Sequence, residues 1–222
     1  MTNYTKYRKP GLKYRYVLTT IRTGSHLFFN SLISSLKLNI PVKTIYLKPF
    51  EHDYYINNKF YINRIHTPSF VNLDIENEPD LKVILLDRKD HLEQAISFYI
   101  ADYLKQHNLF WKFQLKNKVE LSQYQKTMNS NTILFDRNRI KHIIQEWENN
   151  RINFYTFVQK NNIPYKVFYY EDFIPNFEQT LKEAITFLFD YTFEKIDSNF
   201  SLYKTSTKWN KLFKLYYESL EK

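Results

Sequence analysis

The fold is decided by the stretch YRYVLTTIRTGSH, residues 14–26. Its first seven residues are rich in aromatic and β-branched side chains, a composition typical of a β-strand. From Ser25 onward, apolar residues recur at helical spacing through Leu27, Phe28, Leu32 and Leu36. The sequence therefore predicts a strand, a tight turn at Gly24 and a helix.

A second strand–helix pair is predicted further along the chain. Residues 82–86, KVILL, form a nearly continuous apolar run of the kind found in buried parallel strands. Asp90 is placed to cap the helix that follows, and that helix has an apolar stripe from Leu92 to Leu104. Strands alternating with helices indicate an α/β fold with a parallel sheet, which binds ligands beyond the carboxyl ends of its strands.

The remaining pattern predicts further elements. Residues 44–47 form a short strand, the residues after it are irregular, and residues 112–135 form a loop or lid. Later elements are a long helix from Arg137 through Val158, a strand at 165–170, a helix at 177–188 and a final helix at 209–220. Because no repeat or linker is visible, we expect a single domain over residues 1–222.

Composition excludes several classes of protein. The chain has 222 residues, of which 43% are hydrophobic and 18% aromatic, so a disordered protein is excluded. It has no apolar run of membrane-spanning length, and residues 1–10 lack an apolar signal core, so we expect a cytoplasmic protein without a membrane span. The absence of cysteine excludes disulfides and thiolate chemistry. The net charge of +9 favours an anionic partner.

Glycine is scarce, which gives Gly24 particular interest. The chain has two glycines, where roughly fifteen are expected at a usage of about 7%. One interpretation of Gly24 is an ordinary connecting turn. The other is an anion site, in which Gly24 permits close approach to the helix N-terminus while Arg22, Thr23 and Ser25 supply donors. The Gly-Lys-Ser/Thr ending of a Walker P-loop is absent.

Arg88 and Ser97 form a second candidate pair. Arg88 follows the buried strand at 82–86, and Ser97 lies on the next predicted helix. The two side chains are suited to hold a second phosphate. A surface arginine and a helix-packing serine are the alternative interpretation.

Taken together, four segments resemble the sulfotransferases that use 3′-phosphoadenosine-5′-phosphosulfate (PAPS). Residues 22–25, RTGS, are similar to the 5′-phosphosulfate loop, and residues 88–97, RKDHLEQAIS, to the 3′-phosphate segment. Residues 164–173, PYKVFYYEDF, and 203–209, YKTSTKW, resemble later segments of the trehalose 2-sulfotransferase-like branch. The resemblance is collinear from about Tyr14 to Phe213.

The resemblance implies a fold and a donor. The fold would be a P-loop nucleotide-kinase-like three-layer α/β sandwich with a central parallel sheet. Backbone amides of residues 23–26, including those of Thr23, Ser25 and His26, would hold the 5′-phosphosulfate, with Arg22 and the Ser25 hydroxyl on its oxygens. Arg22, with the helix N-terminus, would also stabilise the charge that grows on the leaving oxygen.

The same resemblance implies the rest of the site. Arg88 and Ser97 would bind the 3′-phosphate, with Lys204 and Ser206 as further nucleotide contacts. The acceptor would be a glycan or small hydroxylated molecule, and the product nucleotide 3′,5′-ADP (PAP). No metal is required, no clustered metal-ligand pattern is present, and no nucleic acid is expected. A homodimer stays open as a further partner.

The general base is the point where the chain departs from the resembled branch. Asn30 stands where the trehalose enzymes have a glutamate, and an amide cannot accept a proton at neutral pH. His26 is a candidate base because imidazole titrates near neutrality, although an anion-contacting or helix-capping role suits it equally. Glu51 and His52 are further candidates, on a segment that could face the acceptor, and His66 is also open.

Three alternatives remain at this stage. A basic chain rich in aromatic residues is compatible with a nucleic-acid-binding protein. A different P-loop-like transferase or kinase is disfavoured by the missing Gly-Lys-Ser/Thr sequence. A sulfotransferase fold that has lost catalysis and only binds nucleotide is suggested by Asn30.

Overall fold

The computed structural model describes most of the chain. The described residues are 13–19, 25–39, 42–48, 51–56, 60–66, 80–107, 109, 118–193, 195–197 and 208–220. Within some strands and helices, including the start of the first helix, only the backbone is described.

The stretch that decides the fold adopts the predicted elements on both sides of its turn. Strand β1 spans Lys13–Thr19 and helix α1 spans Ser25–Asn39. All of β1 after Lys13 is buried, and Phe28, Leu32 and Leu36 on α1 are fully buried. The apolar spacing of the sequence thus marks the face of α1 that enters the core. Residues 20–24, which include the predicted turn at Gly24, lie outside the described residues.

Six strands of the described residues form one mixed sheet in the order β2-β3-β4-β1-β5-β6. The further strands are β2 (Val42–Lys48), β3 (Glu51–Ile56), β4 (Phe60–His66), β5 (Lys82–Asp87) and β6 (Tyr165–Tyr169). Strands β4, β1, β5 and β6 run parallel, whereas β2–β3 and β3–β4 pair antiparallel. The α/β class and the parallel strands are confirmed, and the antiparallel extension on one side was not predicted.

Two stretches differ from the sequence prediction. The residues after β2 were predicted to be irregular, but 51–56 and 60–66 form β3 and β4, whose backbone register places Tyr55 opposite Tyr61. The loop or lid predicted for 112–135 contains a helix, α3, over Lys118–Ser130. Tyr124 and Met128 are buried one turn apart on it, which anchors an otherwise polar helix.

The other helices are α2 (His91–Gln106), α4 (Arg137–Lys160), the single turn α5 (Tyr170–Phe173), α6 (Phe177–Phe189) and α7 (Lys208–Ser219). They agree with the prediction, except for α5, which was not predicted as a helix. The Asp90 side chain accepts a hydrogen bond from the Glu93 amide at 2.8 Å, so the predicted cap of α2 is confirmed. In the described part of the chain, no helix has the length and apolar character needed to cross a bilayer.

The sheet has apolar clusters on both faces, because alternate residues of a strand point to opposite sides. On one face, Val17 and Ile84 belong to a cluster formed with α1 and α6. On the other face, Leu18 and Leu85 pack with Phe154 of α4. Helices therefore cover both faces of the parallel strands.

A buried arginine closes one end of this core. Arg15 on β1 is fully buried and donates from Nε to the Leu188 carbonyl at the end of α6. Its Nη1 donates to the carbonyl of Asp80, and its Nη2 lies 3.3 Å from the Asp80 carboxylate. Burial lowers the pKa of Arg15, and the Asp80 carboxylate opposes that shift. This one side chain thus links β1 to α6 and to the turn before β5.

The chain divides into two compact units. The first comprises residues 1–89 and 149–200, and the second comprises residues 90–148 and 201–222. The sheet and its two apolar clusters belong to the first unit. A single sulfotransferase domain over residues 1–222 stays a prediction.

Candidate functional site

The parallel strands of the first unit end along one line. Thr19 of β1 pairs with both His66 of β4 and Leu86 of β5, and Asp87 of β5 pairs with Tyr169 of β6. We call the line formed by His66, Thr19, Asp87 and Tyr169 the carboxyl edge. Ligands of parallel α/β sheets bind beyond such an edge.

Strand β3 begins at the same edge, because it runs antiparallel to β4. The register Asp53↔Asn63 and Tyr54↔Ile62 places the backbone of Glu51 and His52 beside the end of β4. Strands β4 and β1 lie between β3 and β5, so the distance from β3 to β5 is about 14 Å at the usual interstrand spacing. The sheet therefore gathers Glu51, His52 and His66 along the edge from which Arg88 departs.

Arg88 is the best-defined side chain at this edge. It follows the last residue of β5, and its side chain is 13% exposed. Its Nε donates to Oε1 of Glu171 at 3.1 Å, and its guanidinium carbon lies 4.8 Å from the ring centroid of Tyr170. Within the described residues, Nη1 and Nη2 have no hydrogen-bond partner. The guanidinium of Arg88 is thus held at Nε by Glu171 and on one of its planar faces by the Tyr170 ring, and its two terminal nitrogens are available to a ligand.

Glu171 uses both carboxylate oxygens to fix this corner. Oε1 accepts from Arg88, and Oε2 accepts from the backbone N–H of Lys89 at 2.9 Å. Partial burial is the largest influence on its pKa and raises it. The backbone N–H groups of Lys89 and Glu171, together with the hydrogen bond and charge of Arg88, outweigh burial, so the pKa lies below its ordinary value. The carboxylate is therefore ionised at neutral pH, and its negative charge balances the positive charge of Arg88.

A more exposed ion pair lies beside this one. The Lys89 Nζ is 2.6 Å from the Asp172 carboxylate, and both side chains are more than half exposed. The hydrogen bond that Lys89 donates to Asp172 is the main cause that raises the pKa of Lys89. Water screens this pair, so it contributes little to stability.

Beneath Arg88, the end of β5 is anchored by a buried ion pair. The Asp87 carboxylate accepts two hydrogen bonds from Arg151 of α4, at 2.7 Å from Nε and 2.8 Å from Nη2. The two side chains are 3% and 7% exposed, respectively. A two-point contact of this kind fixes direction as well as distance, so it holds the strand end from which Arg88 leaves.

Some of the predicted site residues fall outside the described structure. Those residues are Arg22, Thr23, Gly24, Lys204 and Ser206. Ser25 and His26 form the first turn of α1, where only the backbone is described. Their proposed roles stay predictions.

The remaining predicted residues are distributed over both units. Glu51 and His52 lie on a strand, in contrast to the irregular structure predicted for the residues after 44–47. Arg88 belongs to the first unit, and Ser97, which is half-buried on α2, belongs to the second. The structure does not define a common site for Arg88 and Ser97, and a shared phosphate stays a prediction.

Sequence analysis missed the partners of Arg88. Tyr170 and Glu171 were noted as part of a motif, but no role was given to them. The signal was present as an acidic residue at the end of a strand predicted to be parallel to β5. Only the pairing of Asp87 with Tyr169 brings that residue to Arg88.

Comparisons with known proteins supply no family for this chain. The sequence matches no protein-family model, and a search of curated proteins gave no significant match. In the described part of the chain, no group of three or more His, Asp or Glu side chains is arranged to hold a metal ion.

Proposed function

We propose that this chain is a PAPS-dependent sulfotransferase that acts on a hydroxyl of a carbohydrate or other small acceptor. One observation carries the proposal: β1 and β5 are adjacent and parallel, so the segment that follows β1 and Arg88 leave the sheet at the same edge. Two phosphate-binding segments of a bisphosphorylated nucleotide need this proximity. The proposed fold is the P-loop nucleotide-kinase-like sandwich, which requires helices on both sides of parallel strands.

In this proposal, the 5′-phosphosulfate binds at the start of α1. Four unpaired backbone N–H groups and a positive dipole end favour an anion there. Gly24 permits the close approach, while Arg22 and Ser25 contact the oxygens. The position of α1 directly after a central strand of the sheet supports this arrangement.

The 3′-phosphate is assigned to Arg88. Glu171 and Tyr170 hold the guanidinium, and Nη1 and Nη2 remain to donate in parallel to two phosphate oxygens. Ser97, Lys204 and Ser206 are further proposed contacts. The net charge of +9 agrees with a multiply anionic nucleotide.

The reaction is an in-line displacement at sulfur. The acceptor oxygen forms a bond to sulfur, while the bond from sulfur to the bridging phosphate oxygen breaks and PAP leaves with its electron pair. Arg22 and the N-terminus of α1 stabilise that leaving oxygen. The acceptor proton passes to a base at the carboxyl edge, for which His26, Glu51 and His52 are the candidates.

A nucleotide-binding protein without catalysis is the second candidate function. Asn30 is exposed on α1, at the position where the resembled enzymes have a glutamate. An amide there cannot take the acceptor proton. This alternative keeps PAP binding and predicts no transfer to any acceptor.

Nucleic-acid binding is less well supported by the packing. Stacking on bases needs exposed rings. Phe28, Phe154, Phe173 and Phe213 are among the aromatic residues that are fully buried.

Calorimetric titration with PAP and with 5′-ADP tests the proposal. We expect PAP to bind at least tenfold more tightly, because 5′-ADP lacks the 3′-phosphate. Lys166→Ala removes one positive charge near the start of β6, at the end of the strand away from the carboxyl edge, and as a control it should bind both nucleotides as the unaltered chain does. Equal or absent binding of the two nucleotides would overturn the proposal. Preferential PAP binding without sulfuryl transfer to a panel of hydroxylated acceptors would select the second candidate function.

A further inference from the structure

The second compact unit contains an open cavity of about 710 Å³. It lies among the C-terminal half of α2, the start of α4 and Leu220, which follows α7. None of the residues assigned above to the nucleotide or to catalysis lines it. Its volume is within the range of pockets that bind small molecules, about 300–1,000 Å³.

One wall of the cavity is aromatic. Tyr103 and His107 are one helical turn apart, with ring centroids separated by 4.2 Å, and Tyr99 lies 6.4 Å from Tyr103. The Tyr99 hydroxyl donates to the carbonyl of Leu134 at 2.6 Å, which fixes that ring. The wall therefore offers ring faces held in place by packing and by a hydrogen bond.

Beside the rings are planar polar groups. The Asp102 carboxylate accepts from Gln106 Nε2 at 2.7 Å, and Arg139 Nη2 lies 3.8 Å from the same carboxylate oxygen. Asp102 is 24% exposed and Arg139 46% exposed. The distance of 3.8 Å is too long for a direct hydrogen bond. The Asp102 carboxylate and the Arg139 guanidinium thus lie side by side, and each can still form hydrogen bonds to a ligand.

The charges around the cavity balance. Asp102 and Asp136 oppose Arg137 and Arg139. Part of this charge is already used, because Asp136 accepts from the backbone N–H of Arg139 at the start of α4 and Arg137 donates to the carbonyl of Leu220. A charged ligand of either sign would be repelled by the two side chains that carry its own charge and attracted by the other two. A neutral ligand meets no such repulsion.

We infer that this cavity binds a neutral saccharide. A sugar ring has one face of C–H groups, which pack against aromatic rings, and adjacent hydroxyls, which both donate and accept hydrogen bonds. The Tyr103–His107 wall fits the apolar face, and Asp102, Gln106 and Arg139 fit the hydroxyls. This inference is independent of the proposed nucleotide site.

The test uses the full chain without nucleotide. An array of neutral and acidic saccharides identifies the ligand, and calorimetry with the strongest neutral disaccharide measures its affinity. We expect a neutral saccharide to bind, Tyr103→Ala and Asp102→Asn each to weaken binding at least tenfold, and Tyr103→Phe to retain most of it because the ring remains. Lys126→Ala, an exposed change on α3, is the matched control and should bind as the unaltered chain does.

Each result decides the inference. Thermal melting of every variant checks that a loss of binding is not a loss of folding, and Tyr103→Phe and Asp102→Asn are small enough to keep the fold. Binding of acidic saccharides only, no saccharide binding at millimolar concentration, or undiminished binding by both Tyr103→Ala and Asp102→Asn would overturn the inference. The outcome does not depend on whether PAP binds.

Discussion

Arg151 and Asp87 form a two-point ion pair inside the first compact unit, with nitrogen–oxygen distances of 2.7 and 2.8 Å. The pair joins the middle of α4 to the end of β5, one residue before Arg88. It therefore connects the stability of the fold with the geometry of the proposed 3′-phosphate site.

Removing one member of this pair should destabilise the protein strongly. Asp87→Ala removes both carboxylate oxygens that accept from the buried Arg151 guanidinium, and we expect a loss of about 3–5 kcal/mol in the free energy of unfolding. Urea denaturation measures it. Glu183→Ala breaks the exposed pair with Lys166 and serves as the control, with an expected change within about 1 kcal/mol. A loss for Asp87→Ala no larger than the control would contradict a structural role for the buried pair.

Arg88→Ala should weaken PAP binding by about 2 kcal/mol, roughly 30-fold, because charge-assisted hydrogen bonds to the 3′-phosphate are lost. Its effect on 5′-ADP binding should be small, since that nucleotide has no 3′-phosphate. Calorimetry with both nucleotides gives the comparison. Unchanged PAP affinity, or an equal loss for both nucleotides, would remove Arg88 from the 3′-phosphate site.

Gly24→Val should abolish PAP binding and leave the fold largely intact. A branched side chain at this position would keep the 5′-phosphate of the nucleotide away from the backbone. Titration with PAP gives the affinity, and circular dichroism reports the fold. Normal binding by a folded Gly24→Val protein would refute the close approach assigned to this residue.

Glu171→Gln tests the electrostatic contribution of the carboxylate that holds Arg88. The folded-state pKa of Glu171 lies below its ordinary value of 4.5, because the backbone N–H groups of Lys89 and Glu171 and the hydrogen bond and charge of Arg88 together outweigh the opposing effect of burial. Its contribution to stability is therefore present above pH 4.5 and is lost as the pH falls through the folded-state pKa.

The difference in unfolding free energy between the unaltered chain and Glu171→Gln should accordingly shrink in acid. Urea denaturation of both proteins at neutral pH and at several values below pH 4.5 measures it. A difference that stays constant over this range, or that grows in acid, would show that the carboxylate charge has no stabilising role.

Two substitutions of Asp90 separate its two contacts in the second unit. Oδ1 caps α2 through the Glu93 amide, and Oδ2 lies 2.5 Å from Lys214 Nζ. The hydrogen bond that Lys214 donates to Asp90 is the main cause that raises the pKa of Lys214. Asp90→Asn keeps an oxygen for the cap and removes the ion pair, whereas Asp90→Ala removes both.

We expect Asp90→Ala to destabilise the protein by about 1 kcal/mol more than Asp90→Asn does, which is the usual effect of losing a helix cap. Thermal and urea unfolding give both values. If the two substitutions cost the same, the cap does not contribute and the ion pair accounts for the effect.

The sequence predicted the elements that have strong local patterns. β1 is rich in aromatic and β-branched residues, β5 contains a continuous apolar run, and α2 has both a cap residue and an unbroken apolar stripe, so these local signals were enough to find them. β3 and β4 were missed because their polar residues hide the alternation. They become strands by pairing with their neighbours in the sheet, β3 antiparallel to β2 and β4, and β4 also parallel to β1. Helix α3 was missed because Tyr124 and Met128 are too few to give a periodic signal.

The candidate site shows the same limit. Arg88 was found from its place after a buried strand, which is a local property. Its partner Glu171 is 83 residues away, and nothing in the local sequence of either residue specifies their contact. That contact follows from β6 pairing with β5, which depends on the whole sheet.

The division of the chain between its two compact units affects how the protein can fold during synthesis and which fragments of it can be expressed. Each unit is built from two separated segments, and the chain passes between the units at residues 89–90, 148–149 and 200–201. Every continuous segment that includes all of the first unit also contains residues 90–148, and every one that includes all of the second also contains residues 149–200. During synthesis, β5 leaves the ribosome long before its partner β6. The hydrogen bonds between β5 and β6 therefore cannot form until the whole intervening segment has been synthesised. Neither unit can be completed, or expressed as an uninterrupted fragment, without part of the other.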